Sequence, residues 1–216
     1  MRVLITAGPT YEPLDPVRFI GNHSTGKMGY ALAEAFAAIG AEVTLISGPT
    51  NLPDPAHSHI RTQRVETADQ MYVAAAAVAP EADVWIFAAA VADYKPAHVA
   101  AEKIKKSGDT LMLELVKNVD IAATLGKKKR PEQFSVGFAL ETNNEQAHAL
   151  DKLRRKNFDL VVLNSLRDAG AGFRHDTNKV TLLDAQGQTR IFEVKPKAEV
   201  AQDIVDAVLA RLPREV

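Results

Sequence analysis

Residues 3–49 read VLITAGPTYEPLDPVRFIGNHSTGKMGYALAEAFAAIGAEVTLISGP and contain two short apolar runs on either side of an alanine-rich stretch. The runs, Val3–Ala7 and Glu42–Ser47, both stop at a Gly-Pro pair. Short runs rich in Val and Ile that end at turn residues are typical of buried parallel strands. The stretch between them, Gly26–Ile39, has apolar residues at helical spacing, and Gly40 follows as a favoured helix stop. These residues predict a strand–helix–strand unit.

The same alternation continues along the rest of the chain. Further strands are predicted at Asp83–Ala88, Phe134–Phe138 and Asp159–Leu163. Further helices are predicted at residues 67–79, 119–125, 142–157 and 199–212. Two of these helices start with a capping-box pattern, at Thr67 and at Thr142. The pattern predicts an α/β fold, with a mostly parallel sheet and helices on both of its faces.

Two regions depart from the alternation. Val99–Leu115 contains three lysines and a tip at Ser107–Asp109, which predicts an exposed flap after the third strand. Lys179–Leu183 and Thr189–Val194 flank a turn that contains Gly187, which predicts a late antiparallel hairpin at the sheet edge. A length of 216 residues fits one large domain better than two, so we expect residues 1–216 to form a single domain.

The composition excludes several classes of protein. The chain has 26 basic and 27 acidic residues, so no bulk attraction to nucleic acid is expected. The chain has no cysteine, which excludes disulfides, Cys-ligated metals and a thiol nucleophile and suits a cytoplasmic location. No apolar stretch reaches the ~18–20 residues of a membrane span. The N-terminus is expected to be neither a signal nor a transit peptide.

The segment Gly21–Met28 matches the phosphate-loop pattern G-x-x-x-x-G-K only in part. Met28 stands where a magnesium-binding hydroxyl is needed, and the segment does not follow its strand directly, which argues against a phosphate-loop NTPase. A turn that opens a helix still favours an anion, because free N–H groups point out of the helix end. The alternative is that Ser24 or Thr25 merely caps the helix.

A nicotinamide-dependent reductase is also disfavoured. The loop after the first strand lacks G-x-G-x-x-G, and the second strand ends at Ser47-Gly48-Pro49-Thr50, without the acidic residue that binds a ribose.

Other candidate site residues lie where strands end. Asp93 closes a run of small residues after the third strand, where a ligand can approach the backbone closely. Lys152 and Lys156 are four residues apart on one helix face and would repel each other unless an anion lies between them. A solvated aspartate and ordinary surface lysines remain the alternatives. The six histidines are scattered, and they indicate neither a metal cage nor a catalytic triad.

Six motifs in order make the chain resemble the phosphopantothenoylcysteine synthetase family, also called phosphopantothenate–cysteine ligases. The motifs are LITAGPTYEPLDPVRFIGNHSTGKMGYALA, AAAVADYKP, AEKIKK, LVKNVDI, VGFALETN, and the lysine pair Lys152 and Lys156 before DLVVLN. The resemblance covers essentially the whole chain. It implies a Rossmann-like fold, a homodimer, and a flavin-dependent decarboxylase as a fused or separate partner, with no flavin bound by this chain itself.

The resemblance also implies a reaction of coenzyme A biosynthesis. The carboxylate of 4′-phosphopantothenate attacks the α-phosphate of CTP, assisted by Mg²⁺, and pyrophosphate leaves. The amine of L-cysteine then attacks the acyl-cytidylate, giving phosphopantothenoylcysteine and CMP. The chain's lack of cysteine is consistent with a reaction that needs no covalent nucleophile.

The resemblance assigns roles to particular residues. Asn22 would hold the activated acyl group, and Lys103 on the flap would stabilise the pentavalent phosphorus. Ala89 and Ala90 would line the phosphopantothenate site. The nucleotide would contact Asp93, Lys103, Val116, Lys117, Asn118, Val119, Phe138, Lys152 and Lys156. No magnesium ligand is assigned.

Three alternatives remain open at this point. The same ligase could use ATP, as eukaryotic members of the family do. The chain could be a nicotinamide-dependent reductase on a Rossmann-like fold, or a nucleotide sensor that binds CTP without forming an acyl-cytidylate.

Overall fold

The structure is a computed structural model and describes residues 1–106, 108–141, 144–165 and 175–212. Those residues contain fourteen strands and five α-helices. The strands are β1 (Arg2–Ala7), β2 (Tyr11–Pro13), β3 (Phe19–Gly21), β4 (Glu42–Ser47), β5 (Ile60–Arg64), β6 (Val84–Phe87), β7 (Tyr94–Pro96), β8 (Leu115–Lys117), β9 (Phe134–Glu141), β10 (Leu160–Ser165), β11 (Thr177–Asn178), β12 (Val180–Asp184), β13 (Thr189–Ile191) and β14 (Lys195–Pro196). The helices are α1 (Lys27–Ala38), α2 (Ala68–Val78), α3 (Ile121–Gly126), α4 (Glu145–Arg155) and α5 (Lys197–Leu209).

Eight strands form the central sheet, in the order β13-β12-β10-β9-β6-β1-β4-β5. The six strands from β10 to β5 are parallel, whereas β12 and β13 pair antiparallel at one edge. The predicted α/β fold and the late hairpin are therefore confirmed. The sequence did not predict β5, because an edge strand reading IRTQR lacks the apolar run of a buried strand.

Helices cover both faces of the sheet, as predicted. Successive side chains of a strand point to opposite faces. Ile5 packs in the core beneath α1 and α5, whereas its neighbour Leu4 packs in the core beneath α2, α3 and α4. Both side chains are fully buried, and each such burial contributes about 1.5–3 kcal/mol. The continuous apolar runs of the central strands reflect this two-sided burial.

The strand order reverses between β1 and β6. From β1 the chain proceeds outward through β4 and β5, and then returns to β6 and proceeds outward through β9 and β10. In open α/β sheets, ligands bind outside the carboxyl ends of the strands at such a switch point. Here the two strand exits stay adjacent, because the N–H of Ala90 donates to the carbonyl of Gly8 at 2.8 Å.

Helix α1 starts at this switch point and packs closely against β1. A Cβ at Gly29 would lie 2.4 Å from the Cβ of Ala7, so only glycine permits this approach. The residue that precedes the helix, Gly26, has a φ of 80°, a conformation that glycine adopts without strain. The N-cap position is occupied by Gly26 rather than by Ser24 or Thr25, and the N–H of Gly26 donates to Ser24 Oγ at 3.4 Å.

The two capping-box predictions had different outcomes. At α2 the box is confirmed, because Thr67 Oγ1 accepts from the N–H of Gln70 and the Gln70 side chain accepts from the N–H of Thr67. At α4 the cap is instead Asn144, which adopts φ 44° and makes no side-chain capping bond. Thr142 lies outside the described residues.

None of the helices in the described part of the chain is long and apolar enough to cross a bilayer.

Candidate active site

A cavity of about 450 Å³ opens at the carboxyl ends of the parallel strands. Its walls are the first turn of α1, the strand exit after β6, the start of α3 and the C-terminal end of α4. Most of the positions predicted from the sequence meet in this cavity. They are Asn22, Ala89, Ala90, Asp93, Asn118, Val119, Phe138, Lys152 and Lys156.

Asn22 is held against the strand exit after β6. Its Nδ2 donates to the carbonyl oxygen of Ala90 at 2.9 Å. The small residues Ala88–Ala92 leave the cavity wall open along this backbone, so a ligand could contact main-chain groups. The uncharged amide of Asn22 is thus positioned beside that wall, where it could bind an anion without repelling it.

Asn118 joins the loop before α3 to the same strand exit. Its Nδ2 donates to the carbonyl of Ala92 at 2.8 Å, and its backbone N–H donates to the carbonyl of Asp93 at 2.9 Å. Its Oδ1 is buried and accepts no hydrogen bond from the described residues. A buried acceptor without a donor costs about 1–3 kcal/mol, which a ligand donor could recover.

One end of the cavity carries the predicted lysine pair. Lys152 lies in the last turn of α4, and Lys156 caps that helix. Lys156 Nζ lies 3.0 Å from the Asp120 carboxylate. Burial alone would raise the pKa of Asp120, but the hydrogen bonds from Ala123 N–H and from Lys156 outweigh it, so the pKa is lowered.

Two further lysines line the cavity, and the sequence analysis did not single them out; they come from α1 and α5, on the face of the sheet opposite α4. Lys27, the first residue of α1, pairs with Asp176, and Lys197, the first residue of α5, donates to the carbonyl of His175. Both lysines line the cavity. Burial lowers the pKa of Lys197, and the nearby positive charge of Lys27 lowers it further. The only sequence signal is a lysine in the first turn of a helix, where the dipole disfavours it.

Three predicted positions do not line the cavity. They are Lys103, Val116 and Lys117. Strands β7 and β8 pair antiparallel and enclose the predicted flap, on which Lys103 is exposed. The role of Lys103 stays a prediction.

The flap is attached to the loop between β2 and β3. Asp15 Oδ2 accepts from the N–H of Ile104 at 3.1 Å, and the Arg18 guanidinium donates to the carbonyl of Ile104 at 2.9 Å. The same guanidinium binds the Asp15 carboxylate, and this contact holds the pKa of Asp15 far below its usual range. The residue adjacent to Lys103 is therefore fixed to the body of the protein.

In the ranges the structure describes, no group of three or more His, Cys, Asp or Glu side chains could hold a metal ion alone. The carboxylates that line the cavity are Asp93, which is exposed, and Asp120, which is paired with Lys156.

An open, mostly parallel sheet with a lysine-lined cavity at its switch point defines the class of protein, a Rossmann-like α/β domain. The chain belongs to the family of the DNA/pantothenate metabolism flavoprotein C-terminal domain, whose model matches residues 1–212.

Two curated relatives extend beyond this chain. A cysteine/cysteine sulfinic acid decarboxylase from an unknown prokaryotic organism is 50% identical over 96% of the chain, which spans 58% of that protein. The coenzyme A biosynthesis bifunctional protein CoaBC of Haemophilus influenzae is 45% identical over 98% of the chain, which spans 52% of it. The chain thus covers little more than half the length of either relative.

A crystal structure of the C-terminal domain of a coenzyme A biosynthesis bifunctional protein CoaBC matches the fold. It superposes with a TM-score of 0.83 at 42% identity, covering 98% of this chain and 95% of the other.

Proposed function

We propose that this chain is the phosphopantothenate–cysteine ligase unit of coenzyme A biosynthesis and that it activates its acid substrate with CTP. One observation supports this proposal most directly. A single cavity brings together Asn22, the Ala89–Ala90 backbone, the loop at Asn118 and the lysines at the C-terminal end of α4. These positions come from distant parts of the sequence, and a resemblance limited to the fold would not require them to meet.

The reaction joins two anions before it forms an amide. The carboxylate oxygen of 4′-phosphopantothenate forms a bond to the α-phosphorus of CTP, and pyrophosphate leaves. The amine of cysteine then attacks the acyl carbon, loses a proton, and displaces CMP. The main barrier is the repulsion between the reactants, so catalysis requires positioning and fixed positive charge.

The residues of the cavity can meet both requirements. Lys152 and Lys156 supply positive charge at one end for the triphosphate, and Asn22 supplies a neutral amide beside the Ala90 carbonyl for the acyl group. Lys103 would approach the α-phosphate from the flap.

Magnesium would arrive with the triphosphate. Mg²⁺ keeps several waters and usually takes one or two protein carboxylates together with substrate phosphates. The exposed Asp93 carboxylate fits that requirement, and bound Mg²⁺ would neutralise phosphate charge.

The preference for CTP over ATP is part of the proposal. The buried Oδ1 of Asn118 needs a donor, and the exocyclic amino group of a cytosine or adenine base could supply it. Uracil and guanine also carry ring N–H donors, so this acceptor is compatible with CTP but does not by itself select a base.

The name of the decarboxylase relative suggests a different activity. Because this chain spans only 58% of that protein, the name does not place a decarboxylase activity in the shared part. A fused or separate phosphopantothenoylcysteine decarboxylase partner is the arrangement that we propose, because the name of CoaBC describes a bifunctional protein.

We also propose a homodimer. The flap carries neighbouring exposed apolar side chains at Leu111, Met112 and Leu113, and Met112 is 91% exposed. Contiguous exposed apolar patches mark interaction surfaces. Light scattering in solution should give twice the mass of the chain.

A cysteine-dependent pyrophosphate assay tests the function. The purified chain is mixed with 4′-phosphopantothenate, Mg²⁺ and each of the four common triphosphates in turn. Release with CTP, and an acyl-cytidylate seen by mass spectrometry when cysteine is omitted, would support the ligase. The Asn22→Asp variant is the negative control, because a carboxylate would replace the donor that binds the Ala90 carbonyl.

The alternatives give different results in the same experiment. Equal or faster release with ATP would refute the CTP preference. CTP binding without an acyl-cytidylate would indicate a sensor. Thermal stabilisation by NADPH, with none by CTP, would indicate a reductase.

A further inference from the structure

The asparagines that line the cavity bind the rest of the protein in two different ways. Asn22 and Asn118 both use the amide nitrogen, because each Nδ2 donates to a backbone carbonyl of the strand exit after β6. Asn164 uses the amide oxygen instead, because its Oδ1 accepts from Nδ2 of Asn178 at 3.1 Å. Asn164 therefore differs from Asn22 and Asn118 in which end of its amide is left for a ligand.

Asn164 lies at the carboxyl end of β10, where ligands approach an open α/β sheet. Successive side chains of a strand alternate between the two faces, and Val162 of the same strand packs in the core beneath α1 and α5. Asn164 therefore belongs to that face of the sheet. Within the part of the chain that the structure describes, no group accepts a hydrogen bond from Asn164 Nδ2. This nitrogen is thus available to a ligand in the cavity.

A backbone group fixes the direction of the Asn178 amide. The N–H of Lys179 donates to Oδ1 of Asn178 at 3.1 Å. A backbone N–H can only donate, so the atom that it meets has to be the amide oxygen. The other branch of the Asn178 amide is therefore the nitrogen, and this nitrogen meets Asn164. Asn178 is only 2% exposed, so the protein rather than bulk water has to satisfy both ends of its amide.

The direction of the Asn178 amide in turn fixes the direction of the Asn164 amide. An amide nitrogen is a donor only, so Asn164 has to present its oxygen to Nδ2 of Asn178. Turning the Asn164 amide over would break this hydrogen bond and bring two donors together inside the protein. Asn178 therefore holds Asn164 with its nitrogen as the unbonded end.

We propose that Asn178 is a positioning residue of the candidate active site, which holds the Asn164 amide so that its nitrogen donates to an acceptor oxygen of a reactant. This inference rests on the proposed function, which supplies two reactants rich in such oxygens, 4′-phosphopantothenate and CTP. Their phosphate and carboxylate oxygens are charged and make strong hydrogen bonds with a donor. A turned amide would present an oxygen to them instead, and two acceptors repel each other.

A double-variant cycle tests whether Asn178 acts through Asn164. CTP with Mg²⁺, inorganic pyrophosphate and 4′-phosphopantothenate are each titrated by calorimetry into the wild type, Asn164→Leu, Asn178→Leu and the double variant. Leucine is close to asparagine in size and adds no charge. Gln133→Leu is the matched control, because Gln133 is a buried amide that donates to two backbone carbonyls and does not line the cavity.

We expect Asn164→Leu to weaken at least one of the three ligands about tenfold or more, the usual effect of losing a hydrogen bond to a charged group. Asn178→Leu should weaken the same ligand about threefold or more, because the Asn164 amide is then free to turn. The double variant should bind that ligand within about twofold of Asn164→Leu, since Asn178 has no effect once the amide that it holds is gone. Gln133→Leu should lose stability but bind all three ligands like the wild type.

The pattern of losses identifies the acceptor. Weaker binding of both CTP and pyrophosphate would place the acceptor on the triphosphate, and weaker binding of CTP alone would place it on the nucleoside. Weaker binding of 4′-phosphopantothenate would place it on the acid. Nuclear magnetic resonance of the ¹⁵N-labelled wild type gives a second measurement. The side-chain amide signal of Asn164, identified by its absence in Asn164→Leu, should shift when the weakened ligand is added.

Several results would overturn the proposal. They are affinities within about twofold of wild type in either single variant, losses that add up in the double variant, an Asn164 amide signal that none of the ligands shifts, and a wild type that binds none of them. If Asn178→Leu does not fold, Asn178→Ser takes its place in the cycle, because serine stays polar but ends one bond short of the asparagine nitrogen.

The proposal and the ligase function can fail separately. A chain that shows the coupled loss of affinity but makes no amide would refute the ligase and keep the role of Asn178. An active ligase with normal affinities in Asn178→Leu would do the reverse.

Discussion

The Asp15 carboxylate accepts a hydrogen bond from the backbone N–H of Ile104 at 3.1 Å, although the two residues are 89 positions apart. Arg18 completes the contact by donating to the Ile104 carbonyl at 2.9 Å. One ion pair therefore binds both polar groups of a single flap residue. Because Ile104 follows Lys103 directly, this contact limits where the Lys103 side chain can reach.

Replacing Asp15 should release the flap. In Asp15→Asn the carboxylate no longer balances Arg18, so we expect the amide of Ile104 to exchange with deuterium at least about tenfold faster. Hydrogen-exchange mass spectrometry of peptides spanning residues 97–106 measures this. Asp54→Asn is the control, because it breaks an exposed ion pair with Arg64 away from the flap. Equal exchange in the two variants would show that Asp15 does not hold the flap.

Removing the charge of Lys103 should slow turnover strongly while leaving the fold intact. Loss of one group that stabilises transition-state charge costs about 2.7–4 kcal/mol, so Lys103→Gln should be at least about a hundredfold slower. Because the Lys103 side chain is exposed, the melting temperature of the Lys103→Gln variant should equal that of the wild type. Lys105→Gln, on the same flap, should keep its rate. The pyrophosphate assay makes the comparison, and a Lys103→Gln variant with wild-type turnover would refute the flap role.

The pair of Asp120 and Lys156 should give a defined pH dependence of stability. The pKa of Asp120 lies below its ordinary value of 3.8 in the folded chain, so its ionised form is the one that stabilises the fold. That contribution is complete above about pH 5 and is lost as the pH falls through the lowered pKa. Asp120→Asn keeps a side-chain oxygen for capping α3 but removes the charge. The difference in melting temperature between wild type and Asp120→Asn should be constant from pH 8 to 5 and shrink below pH 4. A difference that grows in acid would contradict this assignment.

Gly29 should be irreplaceable where α1 meets β1. Gly29→Ala would normally gain about 1 kcal/mol of helix propensity, but its Cβ would lie 2.4 Å from that of Ala7. Overpacking of this kind costs about 1–3 kcal/mol, so we expect a net loss of stability. Ala7→Gly removes the opposing Cβ and should restore part of that loss in the double variant. Urea unfolding of the two single variants and the double variant measures the coupling, and additive effects would exclude the clash.

The contact between Asp15 and Ile104 shows which part of the site's geometry was not predictable. The resemblance pointed to the individual residues, and most of them do meet in one cavity. It did not indicate that Asp15 anchors the flap, since a hydrogen bond to a backbone group leaves no pattern in the sequence. Lys197 was missed for a related reason, because a lysine after a proline is an ordinary helix start until burial is known.

The sequence by itself determined the alternating elements, the capping box at Thr67 and the late hairpin, because each depends on interactions among residues close together in the chain. Only the tertiary structure decided two other features. They are the pairing of the polar edge strand β5 and the presence of Lys27 and Lys197 in the same cavity wall. Those features depend on strand order and on the packing of α1 beside α5, which bring distant residues together. The energy of such contacts is realised only when the whole sheet has formed, so no local stretch of sequence encodes them.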